Sequence, residues 1–226
     1  MENEYKNGES LVVRGLSKSW AAHKALSGIS FGQPAGTVFG VAGDNGAGKS
    51  TLLKILASVL SRDKGQVTFQ GVSLDERTRW RALIGYVPQE LALDDRLNVR
   101  ETLLFWAAAR GFSLTERKRF LEVAASDPLI SGFLDKPIRE CSGGMARRVS
   151  LIVGLLGDPL LILLDEPFAG ADHHSRQLML ERLDLLRKRG RTILVSSHEE
   201  DVLEELCDHI LCLQDGELCT RVDETA

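Results

Sequence analysis

Gly43-Asp44-Asn45-Gly46-Ala47-Gly48-Lys49-Ser50-Thr51 fits the pattern G-x-x-x-x-G-K-[ST] from Gly43 to Ser50. The strand-like run Thr37–Ala42 precedes it, and a helix-like run from Lys49 to Leu60 follows. A glycine-rich loop between a strand and a helix is the setting in which a chain cradles phosphate. Its glycines let the backbone turn so tightly that successive N–H groups point at phosphate oxygens. The helix adds the positive end of its dipole. Lys49 reaches the β- and γ-phosphates as a point charge, and the Ser50 hydroxyl suits Mg²⁺. The competing reading is a glycine-rich turn before an ordinary helix, which the strand-then-helix setting disfavours.

The chain has 226 residues, 27% charged and 43% hydrophobic, with a net charge of −4. That is the balance of a globular protein with a sizeable core. The acidic balance speaks against a nucleic-acid partner, which calls for a basic face. Cys141, Cys207, Cys212 and Cys219 form no C-x-x-C pair, so reduced thiols are expected rather than zinc or a disulfide framework. Met1 to Ser10 is polar and acidic, unlike a signal peptide. The most apolar stretch, Leu151 to Leu164, is cut by Asp158-Pro159 and is too short on either side to span a bilayer.

Outward from the loop, strand and helix signals alternate. Leu11–Leu16, Ala25–Phe31 and Gln66–Gln70 read as strands. Asp75–Arg81 reads as a solvated turn or helix face, and Ala82–Pro88 as a strand stopped by proline. From Leu97 to Ala125 the pattern is helical, capped at Asn98, divided at Gly111 and restarted at Ser113 with Glu116 at capping-box spacing. Further helices are expected at Met145–Leu156, Ser175–Arg189 and Glu199–Cys207. Strands are expected at Leu160–Leu164 and Thr192–Val195, and a hairpin, His209–Leu213 with Glu217–Val222, about Asp215-Gly216. The alternation favours a mainly parallel sheet with helices on both faces.

Leu160-Leu161-Ile162-Leu163-Leu164 ends in Asp165-Glu166-Pro167. A buried strand in an open α/β sheet presents its carboxyl end to ligands. Asp165 there suits Mg²⁺, and Glu166 suits polarising a water for attack on a γ-phosphate. One carboxylate after a strand is commonly a polar turn; a pair after five apolar residues, in a chain with the phosphate loop, is less easily dismissed. Ser142-Gly143-Gly144-Met145 heads a helix upstream of this strand.

With these motifs in order, the sequence resembles the ATPase subunit of an ATP-binding-cassette (ABC) transporter over nearly its whole length. The resemblance implies a P-loop NTPase core with an N-terminal antiparallel β subdomain and an inserted α-helical subdomain. The core would take about residues 1–92 and 158–226 of a single nucleotide-binding domain, and the helical part about 93–157. Trp20 stands where the family stacks the adenine; the competing reading is a core tryptophan. Gly43 to Thr51 would be the Walker A loop and bind ATP. Gln89 is the Q-loop glutamine and, with Ser50 and Asp165, a candidate Mg²⁺ contact. Glu166 and His198 join Gln89 as catalytic candidates. Cys141-Ser142-Gly143-Gly144-Met145 is the signature, with Ser142 to Met145 acting on the opposite copy's ATP, and Asp172 belongs to the D-loop. Departures from the family pattern are Cys141 for leucine, Met145 for glutamine, Ala171 for the D-loop leucine and His173 for the proline that commonly follows it.

The resemblance implies a Mg²⁺-dependent ATPase at the cytoplasmic face of a membrane, held there by a separate permease chain. It would pair head to tail with a second copy or with a paralogous ATPase subunit. The Gly-Gly-Met signature, Arg147-Arg148 after it and the lack of a C-terminal regulatory domain resemble drug- and antibiotic-type exporters. A soluble ABC-type ATPase acting on nucleic acid or ribosomes is the alternative; such relatives usually carry two cassettes, coiled coils or zinc modules, for which there is no signal here. A nucleotide sensor without turnover would be expected to lack Glu166 or His198. Leu103-Leu104-Phe105-Trp106 puts large apolar side chains on more than one helix face. Part of that surface, with Phe105 and nearby Arg100, is expected to form a groove for a permease helix.

Overall fold

The protein is described by a computed structural model covering residues 9–21 and 23–219. The polar N-terminus up to residue 8 and the final strand residues 220–222 expected above lie outside the described residues. The strands are β1 (Glu9–Trp20), β2 (His23–Pro34), β3 (Val38–Ala42), β4 (Lys64–Phe69), β5 (Val72–Ser73), β6 (Ile84–Val87), β7 (Leu161–Asp165), β8 (Thr192–Ser196), β9 (His209–Gln214) and β10 (Glu217–Cys219). The helices are α1 (Lys49–Leu56), α2 (Arg77–Leu83), α3 (Val99–Ala109), α4 (Leu114–Ala124), α5 (Gly143–Gly154), α6 (His173–Lys188) and α7 (Glu200–Leu206).

One sheet is antiparallel, in the order β2-β1-β4-β5. The other runs β10-β9-β3-β8-β7-β6 and is parallel except at its β9–β10 edge. This is the α/β P-loop class with an antiparallel β sheet that the family resemblance implies.

The apolar runs of β3, β7 and β8 are continuous because both faces of the parallel sheet are covered. Alternate side chains separate cleanly. Leu161, Leu163, Phe39, Val41 and Leu194 pack with α1 and the antiparallel sheet. Ile162, Leu164, Val38, Ile193 and Val195 pack with α3, α5 and α6. Two cores thus clamp the sheet and hold its carboxyl edge, where the loops cluster.

Local sequence sets the helix boundaries. Ser113 and Glu116 form the reciprocal capping box at the start of α4 that their spacing predicts, and Asn98, expected as a cap, forms a second box with Glu101 at the start of α3. α1 is a turn shorter than the apolar run to Leu60 suggests. Ser58 takes a left-handed φ of 58°, and the Val59 and Leu60 N–H groups fold back onto Lys54 O. Val59 is left exposed. The Asp75–Arg81 charge cluster holds the start of α2, which is anchored rather than merely solvated. Trp80 is 0% exposed, and its indole N–H donates to Leu56 O, one of the last carbonyls of α1, at 2.7 Å. α2 occupies residues that the apolar run Ala82–Pro88 offered to a strand, so β6 starts only at Ile84.

The expectation of four reduced thiols is overturned at one pair. Cys212 and Cys219 face each other across the β9–β10 hairpin with Cα atoms 5.3 Å apart and are joined by a disulfide. Cys141 and Cys207 are free; burial pushes the Cys207 thiol up to about 12.

Candidate nucleotide-binding site

The loop between β3 and α1 is pressed against the β9–β10 hairpin. Gly43 has φ 145°, and a Cβ there would stand 2.2 Å from Leu213 O, so only glycine lets the two segments meet. The Gly216 N–H donates to Ala47 O at 3.1 Å and closes the contact. Lys49, the first residue of α1, is buried. Its ammonium donates to Gly43 O (2.5 Å) and Asp44 O (3.2 Å), and lies 3.7 Å from Glu166 Oε1. A buried cation is tolerated because carbonyls and a carboxylate surround it.

β7 delivers Asp165 and Glu166 to the same edge. Asp165 is fully buried. Its Oδ1 accepts from Ser50 Oγ at 2.9 Å and Ser196 Oγ at 2.8 Å, while its Oδ2 is buried without a hydrogen-bond partner. A serine hydroxyl beside an uncompensated carboxylate oxygen is hard-oxygen chemistry that fits Mg²⁺. Glu166 takes a left-handed φ of 48°, costly for a residue with a side chain. Its N–H is held by Ser196 Oγ (3.1 Å) and Ser196 O (3.2 Å). Its carboxylate lies between Lys49 and His198, whose Nδ1 is 3.0 Å from Oε2.

Trp20 is 52% exposed, which does not suit a core tryptophan. The Lys18 ammonium, ion-paired to Asp63, sits 4.9 Å from the centroid of its ring. Trp20, Asp44, Asn45, Gly46, Gly48, Lys49, Ser50, Thr51, Gln89 and Glu166 line one cleft, and Gln89 is exposed in it. Ala47 and His198 line the adjoining cleft with Gly43.

Ser142, Gly143, Gly144 and Met145 line neither cleft. They open α5, where Ser142 Oγ caps the helix by accepting from the Met145 N–H at 3.2 Å. A Cβ on Gly144 would stand 2.3 Å from Asp172 Oδ2, so this glycine lets α5 approach the loop before α6. Asp172 caps α6, accepting from Ser175 N–H and Ser175 Oγ at 2.8 Å each. These bonds hold its carboxyl below the ordinary range. His173 therefore falls at the first helical position, where proline is favoured but not needed.

An apolar groove beside α3 is lined by Tyr86, Pro88, Leu93, Trp106, Val153 and Leu156. Trp106 faces it, whereas Phe105, 58% exposed, and Arg100, ion-paired to Asp135, do not line it. The sequence reading also passed over Ser196 and Lys18. Ser196 could have been flagged by its place at the end of a buried strand beside His198. Among the described residues, no cluster of three or more His, Cys, Asp or Glu could hold a metal, and no helix is long and apolar enough to cross a membrane.

The family described as "ABC transporter" matches residues 26–169. The chain is 37% identical over 208 residues to the Nod factor export ATP-binding protein I of Rhizobium sp. (strain N33), covering 92% of this chain and 68% of that protein. It is 36% identical over 210 residues to the linearmycin resistance ATP-binding protein LnrL of Bacillus subtilis (strain 168), covering 92% and 67%. The chain spans 60% to 68% of the length of such relatives. The dimeric post-hydrolysis structure of the ATP-binding cassette MJ0796, bound to ADP and Pi, superposes with a TM-score of 0.83 at 25% identity, over 93% of this chain and 97% of that one. The phosphate loop, the carboxylate pair at the sheet edge and these similarities converge: the chain belongs to the ABC transporter family, as an ATP-binding and ATP-hydrolysing cassette.

Proposed function

We propose that this chain is the ATPase subunit of a membrane exporter and hydrolyses Mg²⁺-ATP in the cleft between Trp20 and Glu166. The observation that carries the reading is the placement of Glu166 between Lys49 and His198, next to the Ser50–Asp165 pair. Trp20 offers a flat surface to the adenine, and the Gly43–Thr51 loop donates backbone N–H groups to the phosphates. Ser50, Asp165 and Gln89 would hold Mg²⁺, with Asp165 Oδ2 as the open carboxylate oxygen. Held by these residues, Mg²⁺ would supply positive charge that offsets the negative charge developing during phosphoryl transfer. Lys49 leaves its carbonyl partners for the γ-phosphate, and Glu166 orients and polarises the attacking water. His198 holds the Glu166 carboxylate through Nδ1 and donates to the γ-phosphate from its other nitrogen.

Because Ser142–Gly144 lie outside the cleft of their own chain, their role requires a second copy or a paralogous subunit, head to tail. The start of α5 then adds positive potential to the transferring phosphoryl group. We assign residues 93–157 to a helical subdomain and the remainder to the catalytic core. The groove at Trp106 receives a short helix of a separate permease, which keeps the chain at the cytoplasmic face of the membrane. Export is favoured by the names of the relatives, which do not favour the soluble nucleic-acid alternative.

The test is phosphate release by the purified chain with and without Mg²⁺. Release should require the cation and fall by orders of magnitude in Glu166→Gln, which should still bind ATP. Undiminished release in Glu166→Gln would overturn the assignment.

A further inference from the structure

Arg147 lies in α5, one turn beyond the Ser142–Gly144 start. Its Nη1 donates to Gln89 O at 2.6 Å, and its Nε donates to Ala169 O at 3.1 Å. Gln89 follows β6 and faces the ATP cleft. Ala169 lies between Glu166 and the Asp172 cap of α6. Three segments that each carry a site residue thus meet on one side chain.

The cation has no ion-pair partner among the described residues. Burial pulls its pKa down, and the nearby Glu166 and Asp165 carboxylates oppose that pull. A side chain needed only to fill space between α5 and the loops would carry no such desolvation cost. The planar guanidinium serves a different end. Its fork reaches two carbonyls from separate loops at once, which neither a lysine point charge nor a neutral side chain does.

We propose that Arg147 is a positioning residue: it ties the Gln89 segment and the loop preceding Asp172 to the signature helix, so that the three move as one body. Arg147 does not touch ATP. A displacement of Gln89 at the phosphate is passed through its own carbonyl to α5, and so to Ser142–Gly144, the surface offered to the opposite copy. The same side chain carries that displacement to Ala169 and the Asp172 loop. This inference rests on the site assigned above.

The full chain should be compared with Arg147→Met and Arg147→Lys in steady-state ATPase assays and amide hydrogen exchange. In Arg147→Met, kcat should fall at least tenfold while KM for ATP stays within twofold, and exchange should rise at least fivefold in both the 88–91 and 168–171 segments. Arg147→Lys, charged but able to hold only one of the two carbonyls at a time, should keep kcat at least threefold below the parent with KM for ATP within twofold. Parental kcat in Arg147→Met, or unchanged exchange in either segment, overturns the proposal. So does an equal loss of kcat, ATP binding and thermal stability in both variants, which would make Arg147 a packing residue. Glu166→Gln is measured alongside. If it turns over at the parental rate, the site reading fails, while the paired exchange response still reports on the Arg147 tie.

Discussion

Ser196→Ala tests how the carboxylate edge is held. Ser196 is fully buried. Its hydroxyl donates to Asp165 Oδ1 at 2.8 Å and accepts from the Glu166 N–H at 3.1 Å. The Glu166 amide keeps a second acceptor in Ser196 O, so losing that bond costs little. The bond to Asp165 is different. A hydrogen bond to a charged group contributes about 1.5–3 kcal/mol. Without it the buried carboxylate keeps one protein donor, Ser50 Oγ, since Oδ2 already has none. We expect a loss of about 2 kcal/mol, or about 4–8 °C in melting temperature for a domain of this size. Differential scanning calorimetry measures it directly. In an Asp165→Ala background the same substitution should cost less than about 0.5 kcal/mol, because the charged acceptor is gone. A shift below about 1 °C in the parent, or equal losses in both backgrounds, would refute the reasoning.

Trp20→Ala should weaken ATP binding about tenfold, in line with base stacking worth roughly 1–3 kcal/mol, while Trp20→Tyr binds within threefold of the parent. Titration of fluorescent ATP reads this; parental affinity in Trp20→Ala would make the exposed ring a bystander. Reducing the Cys212–Cys219 disulfide should lower stability by up to about 2.5 kcal/mol, the loop-closure value for so short a loop. The melting shift with dithiothreitol should vanish in Cys212→Ser, and persistence there would place the effect elsewhere. Trp106→Ala should reduce co-purification with the permease and transport while leaving the isolated chain's ATPase activity unchanged; unaltered permease binding would move the docking groove elsewhere.

The phosphate loop, the buried strand before Asp165, the cap at Asn98 and the capping box at Ser113 were legible because each is a short-range pattern with one physical meaning. Boundaries were less so. The apolar run to Leu60 exceeds α1 because only backbone geometry at Ser58 reveals the stop. The charge cluster before Trp80 hid an anchor whose partner, Leu56 O, is distant in sequence. The disulfide was within reach. Counting outward from the Asp215-Gly216 turn pairs Gln214 with Glu217, Leu213 with Leu218 and Cys212 with Cys219. Arg147 was legible only as part of the Arg147-Arg148 pair after the signature and Ser196 carries no motif, and their partners come from separate loops and strands. Only the folded chain brings these groups together.

The central claim is ATP hydrolysis in a site completed by a second copy. Sedimentation of Glu166→Gln with saturating Mg²⁺-ATP tests it most directly. The account predicts a dimer with ATP and a monomer without it. Ser142→Arg placed in the same chain should return the ATP-bound protein to monomer, because bulk and charge then enter the opposite copy's site. Glu166→Gln that stays monomeric at saturating ATP, or a dimer indifferent to Ser142→Arg, would contradict it.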